Sequence, residues 1–370
     1  MTNVNTITQD VVNKIDLCRG VFAILVVIAH ALDVATVSQS SSIESTENIF
    51  RYVFGHGFYW VMGFFVISGF CIQLSVQKIN NNTSFSLKYY MIARLTRILP
   101  LYFLALILAL LVEFIVRNNR VDYWNQGIHL SGLISQIFVI QNLTETYGCY
   151  APSWSITNEI CYYALHGILL TVFHRSKIPV PLFGLIFCLL GSCAFLYSYT
   201  LTDYKFLFNV FLLLLLGSVW YCGVVVAFYH QKMLQIYFIR IISNYWLAML
   251  LIVLIVDYYR MLHPQLRNLS LGIVFSAMLL SFIHHSNPRS YFCRKTVLTN
   301  FCKELGISSY PIYLIHGSLI ILLASNIVFD SWLKAWLLFS LTSVICGWLA
   351  KDILEKPVMN WRSNVLRQFI

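Results

Sequence analysis

The sequence predicts an all-α polytopic membrane protein of about ten transmembrane helices, with both termini cytoplasmic. Three observations carry that expectation. Hydrophobic residues make up 59% of the 370 residues and charged ones only 11%, less than half the charged share of a soluble domain. Apolar runs long enough to cross a bilayer recur from one end to the other, giving a mean hydropathy of +0.72. Most of the 25 Lys and Arg residues fall in alternate loops once the amino terminus is placed inside, as the positive-inside rule requires. The net charge of +10 therefore reads as loop bias in a membrane protein rather than as a nucleic-acid surface. Ten cysteines are scattered singly, with no CxxC pair and no Cys/His ligand spacing, so neither a metal site nor a disulfide framework is expected.

The opening segment, residues 1–16, is polar and mixed in charge. It is not a cleavable signal peptide, so the first span, 20–36, should remain in the protein. That span opens at Arg19-Gly20 and carries His30 eleven residues later. At about 100° and 1.5 Å per residue the arginine and histidine share one helix face, about 16 Å apart. Arg19 can be a snorkelling anchor or line a functional face. His30 can bond a neighbouring helix or do chemistry, because ionisable groups inside membranes tend to be functional. Asp33, one turn further, can orient or charge-balance the imidazole. In the second span, 56–76, the run FFVISGF (64–70) holds Ser68 and Gly69, which permit close helix approach.

The third span, 98–116, is preceded by Arg94 and Arg97 at i, i+3. Two guanidiniums on one face can hold phosphate oxygens or simply orient the helix, and Pro100 lets the span start sharply. Residues 128–141 are apolar but too short to cross, and read as an interfacial or re-entrant piece. The fourth span, 159–173, follows the segment APSWS. Its Glu159 can serve as a general base, as a partner for His30, or as a charge at a helix amino terminus. Trp154, Tyr162 and Tyr163 suit an aromatic belt or a sugar-stacking wall. Spans at 179–199, 206–229, 240–256 and 269–285 follow without further motifs. The ninth, 310–329, holds His316 about two turns from its cytoplasmic side, which predicts different depths for His30 and His316. The tenth, 332–350, runs into EKPVMNW, where Glu355 and Pro357 can close a helix. With no internal repeat and no linker, residues 1–370 read as one membrane domain with no extra-membrane C-terminal domain.

In their order along the chain these motifs resemble the acyltransferase 3 family of integral-membrane O-acyltransferases. The matches are Arg19-Gly20 with His30, then Phe64 to Phe70, then Arg94, Arg97, Ile98 and Pro100. Trp154, Ser155 and Glu159 follow, then Ser309 to His316, then Glu355 and Pro357. The resemblance implies transfer of an acyl group, most simply acetyl, from cytoplasmic acyl-CoA to a hydroxyl of a cell-surface or lipid-linked glycan. It implies acetyl-CoA as co-substrate, with no tightly bound cofactor and no metal. It further implies a catalytic role for His30, with Glu159 and His316 in the same centre, a supporting role for Arg19 and a CoA-side role for Arg94 and Arg97. Asp33 joins the catalytic candidates from its place one turn past His30, and Arg19 the cofactor-binding ones. Trp154, Ser155, Tyr163 and Ser68 are the candidate substrate contacts. Membrane lipids, the glycan acceptor and a separate periplasmic protein are the expected partners, and the bacterial inner membrane the expected location.

Two features depart from the family pattern. Relatives often carry an aspartate shortly before the Phe-Phe pair, where this chain reads WVMGFF. Some also end in an extra-membrane hydrolase-like domain. Two other classes compete on composition alone. A flippase for lipid-linked glycans would be expected to show inverted repeats, and a polysaccharide polymerase a large basic outer loop; neither signature is present.

Overall fold

The computed structural model describes residues 7–38, 50, 52–80, 85–121, 128–173, 176–198, 205–286 and 296–368. Of the basic residues that the charge argument places in inner loops, Arg175, Arg289, Arg294 and Lys295 lie outside the described residues. All regular structure among the described residues is helical. In chain order it comprises α1 (Gln9–Ser38), α2 (Gly57–Asn80), α3 (Leu87–Val116), the short α4 (Leu130–Ile137), a 3-10 turn (Gly148–Ser153) and α5 (Trp154–Val172). These are followed by α6 (Val180–Ser198), α7 (Lys205–Gln235), α8 (Tyr237–Asn244), α9 (Trp246–Tyr258), α10 (Pro264–His284) and α11 (Thr296–Asn326). The chain closes with α12 (Trp332–Ala350), a π-helical turn (Lys351–Glu355) and α13 (Lys356–Arg367). In hydrocarbon every backbone N–H and C=O must be satisfied within its own segment, so apolar runs of this length fold as helices.

Among the described residues seven helices are long and apolar enough to cross a membrane, against the ten spans expected. The other three expected spans fall short for separate reasons. The expected span 240–256 is a bent pair, α8 and α9, meeting at 67°. The apolar part of α6 stops at Cys193. Helix α5 has 19 residues but spends several of them on polar groups, with Ser155, Thr157, Asn158 and His166 all buried. The expected short segment is present as α4, eight residues long.

Several helices also start earlier than their apolar runs. Ser86 caps α3, its Oγ accepting the Tyr89 N–H at 3.3 Å, so the helix begins at Leu87 and Pro100 lies in its interior rather than at its start. Likewise α11 begins at Thr296, fourteen residues before the expected span. The π-helical turn at Lys351 replaces the expected helix end at Glu355, and Pro357 sits in the first turn of α13.

Helices α2 and α7 cross at two glycines. A Cβ on Gly69 would sit 2.1 Å from the Trp220 carbonyl oxygen, and one on Gly223 would sit 1.9 Å from that of Val66. Small residues at such a crossing let backbones approach, because lipid supplies no hydrophobic drive between helices. Gly69 of FFVISGF therefore does the packing, which leaves the neighbouring Ser68 to face inward. The 3-10 turn is held from below by a buried carboxylate. Glu113 on α3 accepts the Cys149 N–H at 2.5 Å through Oε1 and the Arg120 Nε–H at 3.0 Å through Oε2. Gly148 beside it has φ +42°, and a Cβ there would overlap the same carboxylate.

Gly223→Ala is expected to lower the thermal midpoint of the detergent-purified protein, in line with an overpacking penalty of about 2–3 kcal/mol. Gly272→Ala, where the added carbon meets only ordinary contacts beginning at 3.4 Å, should leave the midpoint close to wild type. Equal midpoints for the two variants would contradict the crossing.

Candidate active site

Helices α1 and α11 run side by side in the same direction. Gly20 meets Leu305, where a Cβ would fall 2.1 Å from the leucine Cγ, and Gly306 meets Asp16, where it would fall 2.7 Å from Cβ. The two histidines then come level by counting. His30 is twenty-one residues past Gln9 and His316 twenty past Thr296, both about 30 Å along their helices. His30 Nδ1 lies 2.8 Å from His316 Nε2, and the rings stack at 5.1 Å with an interplanar angle of 18°. The expectation of different depths is therefore corrected. It followed from starting the helix at residue 310, when α11 extends well beyond its apolar run.

The hydrogen bonds of this pair settle its neutral tautomers. His316 Nδ1 lies 2.6 Å from the Tyr313 carbonyl oxygen, which can only accept, so Nδ1 carries the proton. A neutral His316 then has its lone pair on Nε2 and accepts from His30 Nδ1–H. The same logic places the lone pair of a neutral His30 on Nε2.

Below the pair lies a cavity of about 270 Å³. Its walls come from five helices: Arg19 on α1; Ser68, Cys71 and Ser75 on α2; Arg94 and Arg97 on α3; Ser155, Glu159 and Tyr163 on α5; and Ser309, Tyr310 and Tyr313 on α11. Sequence motifs separated by up to several hundred residues thus meet on one surface. Ser68 Oγ donates to Glu159 Oε1 at 2.6 Å, the Tyr163 hydroxyl donates to the same oxygen, and Trp220 Nε1 donates to Ser68 Oγ at 3.2 Å. These bonds fix the carboxylate against the cavity wall. Glu159 therefore has Ser68 and Tyr163 as its hydrogen-bond partners, while His30 has His316.

The arginines gather at the opposite end of the cavity. Arg94 donates to Ser75 Oγ and lies over the Tyr90 ring at 5.4 Å, and its buried Nε has no partner among the described residues. Arg97 has no carboxylate within ion-pair distance among the described residues, and Arg19 has only Asp16 at 3.7 Å. Three guanidiniums with spare donor capacity around one opening make a site for a polyanion. At the other end the Phe64 and Tyr313 rings meet edge to face at 6.1 Å. Tyr313 donates to the Pro152 carbonyl at 2.7 Å and bonds Ser155 Oγ at 2.8 Å. Its ring lies 5.8 Å from that of His316, so it forms the wall between cavity and histidine pair.

Besides the histidine pair, two nominated residues stand apart from the cavity. Trp154 stacks on Phe58 at 5.8 Å and 14° and meets Phe65 edge-on at 6.3 Å. Asp33 is half-buried one turn beyond His30. Sequence reasoning missed Cys71 and Tyr313. Cys71 directly follows FFVISGF, and Tyr313 is one turn before His316, so helical spacing was the available signal for both.

A family model described as an acyltransferase domain matches residues 12–351. Neither the curated proteins nor the solved structures contain a match to the chain.

Cys71 is exposed on the cavity wall, whereas Cys149, Cys188 and Cys302 are buried. A small methanethiosulfonate reagent is therefore expected to modify Cys71 and spare those three, as read by peptide mass spectrometry of the folded protein. Unmodified Cys71 would mean that the cavity is closed to solutes.

Proposed function

We propose that this chain, which belongs to the acyltransferase 3 family, transfers an acetyl group from cytoplasmic acyl-CoA to a hydroxyl of a cell-surface or lipid-linked glycan in a bacterial inner membrane. The observation that carries the reading is the bonded chain from Tyr313 through His316 to His30, which leaves His30 Nε2 as a base beyond the Tyr313 wall of a cavity whose far end is lined by Arg19, Arg94 and Arg97. Arg19, Arg94 and Arg97 would take the CoA phosphates at the cytoplasmic mouth through charge-assisted hydrogen bonds. The pantetheine arm would lie along the cavity, past Ser68 and Glu159, with the thioester brought to Phe64 and Tyr313. Those two rings must swing aside for the acyl carbon to meet His30.

The chemistry follows from the tautomer. The acceptor hydroxyl gives its proton to His30 Nε2 as its oxygen attacks the thioester carbonyl carbon. The resulting imidazolium is stabilised through Nδ1–H by His316, whose own Nδ1–H stays on the Tyr313 carbonyl. Collapse of the tetrahedral species breaks the carbon–sulfur bond, and the leaving thiolate recovers the proton from His30. Ester and free CoA thiol result, with no change in net proton count. Glu159, held by Ser68 and Tyr163 on the cavity wall, would orient the amide-bearing arm rather than accept the proton.

His30→Ala is expected to reduce acetyl transfer in cells and with purified protein by about 10²–10⁴-fold, while acetyl-CoA still binds. Retained ester on the surface glycan, at normal protein level, would refute the catalytic assignment. Arg94→Ala combined with Arg97→Ala should weaken acetyl-CoA binding at least about tenfold, each charged hydrogen bond being worth about 1.5–3 kcal/mol. Calorimetry giving an unchanged affinity would remove the docking assignment.

A further inference from the structure

Beyond His30, at the end of the bundle away from the arginines, lies a second polar group that no motif announced. A methyl carbon built on Gly57 would stand 3.6 Å from His30 Nε2, so the start of α2 passes directly over the basic nitrogen. His56 precedes that glycine and stacks on Tyr59 at 4.6 Å and 30°, while its Nδ1 bonds the Tyr52 carbonyl at 2.5 Å. The Tyr59 hydroxyl donates to Asp257 Oδ2 at the end of α9. Asp257 Oδ1 faces Arg267 Nη1 on α10 at 3.5 Å. The Arg267 guanidinium lies over the rings of Phe58 at 5.8 Å and Tyr59 at 5.5 Å.

We propose that His56, Tyr59, Asp257 and Arg267 form the binding site for the acceptor, a polyhydroxylated compound of the carbohydrate class. The assignment rests on the acyl-transfer reading and adds to it where the second substrate sits. Carbohydrate recognition needs carboxylate and guanidinium groups that bond adjacent hydroxyls, together with aromatic faces for the C–H side of a sugar ring. Carboxylate and guanidinium stand together here beside the half-buried His56 ring, and Gly57, the residue after His56, meets the nitrogen that must receive a hydroxyl proton.

A brace between α9 and α10 would explain the ion pair alone, but not its geometry. A charge-assisted bond between a guanidinium and a carboxylate closes to about 2.7–2.9 Å, and this pair stands open at 3.5 Å. Arg267 Nε is buried without a partner among the described residues. The same first turns of α10 carry Gln265 and Asn268, each only 3% exposed, with Gln265 Nε2, Gln265 Oε1 and Asn268 Oδ1 also unpartnered. Unmet hydrogen-bonding capacity concentrated on a few buried side chains is expensive to keep. It marks a surface that exchanges bonds with a ligand. Asp257 at 9% and Arg267 at 25% side-chain exposure remain reachable from the aqueous end.

The test uses the full chain in detergent and a panel of methyl pyranosides with gluco, galacto, manno and rhamno configurations. Saturation-transfer NMR reads glycoside contact, and calorimetry reads acetyl-CoA affinity. Ring-proton transfer to at least one glycoside is expected for wild type. Asp257→Asn and His56→Gln should each weaken that glycoside at least about tenfold while acetyl-CoA affinity holds, which also certifies the fold. Absence of glycoside contact in a wild-type protein that binds acetyl-CoA overturns the carbohydrate assignment. Glycoside affinity unchanged by both variants overturns the choice of residues. Failure of wild type to bind acetyl-CoA strikes instead at the acyl-transfer reading, and glycoside binding sensitive to Asp257→Asn would then still uphold this site.

Discussion

A charged side chain inside a bilayer must be walled from lipid and given polar company, and this constraint organises the whole molecule. Arg19, Arg94, Arg97 and Glu159 sit on helices that are apolar for most of their length, so each must turn inward. Turning them inward on three different helices brings them to one place. The cavity is therefore the place where the fold stores its unavoidable polarity. Close helix packing elsewhere makes that possible, since the Gly69–Gly223 crossing draws α2 and α7 together and turns Ser68 towards Glu159. The outer surface remains apolar, with Leu104, Ile107, Leu111 and Phe114 of α3 exposed.

The seam between α1 and α11 turns this polar interior into a chemical device. Gly20 and Gly306 let the two helices touch along their lower halves, and the helices share a starting level. Two neutral imidazoles brought level can form a directional chain if one of them is already committed as a donor. The Tyr313 carbonyl supplies that commitment. Proton position in His30 is thus tied to a backbone oxygen two links away. Tyr313 contributes to the centre twice, through its carbonyl to His316 and through its ring to the cavity wall.

Much of this was legible in the chain. Apolar runs identified the helices because hydrocarbon leaves the backbone few other choices, and the polar residues interrupting them nominated Arg19, Ser68, Arg94, Arg97, Ser155, Glu159 and Tyr163, all of which line the cavity. What hydropathy does not record is where a helix continues into polar sequence. The early start of α3 comes with the Ser86 cap, and α1 and α11 likewise begin in polar sequence, which an apolar window discards. That omission put His316 at the wrong level. It also obscured α6 and the α8–α9 bend, where an apolar run is present but no straight span results. The Asp257–Arg267 cluster was missed for a different reason. Each residue stands near the end of an apolar run and looks like an ordinary loop charge, and only long-range packing brings them to Tyr59 and His56.

His30 and His316 are 286 residues apart in sequence. At a synthesis rate of about 5–20 residues per second, α1 waits roughly 15–60 s in the membrane before its partner is made. During that interval Arg19 and His30 must be sheltered by α2, α3 or the insertion machinery, because the helix that completes their surroundings does not yet exist. The bonded histidine pair therefore cannot form until nearly all of the protein has been synthesised. Premature termination before α11 would leave a set of spans without that pair, and quality control would have to detect an exposed polar face in the bilayer rather than an unfolded chain.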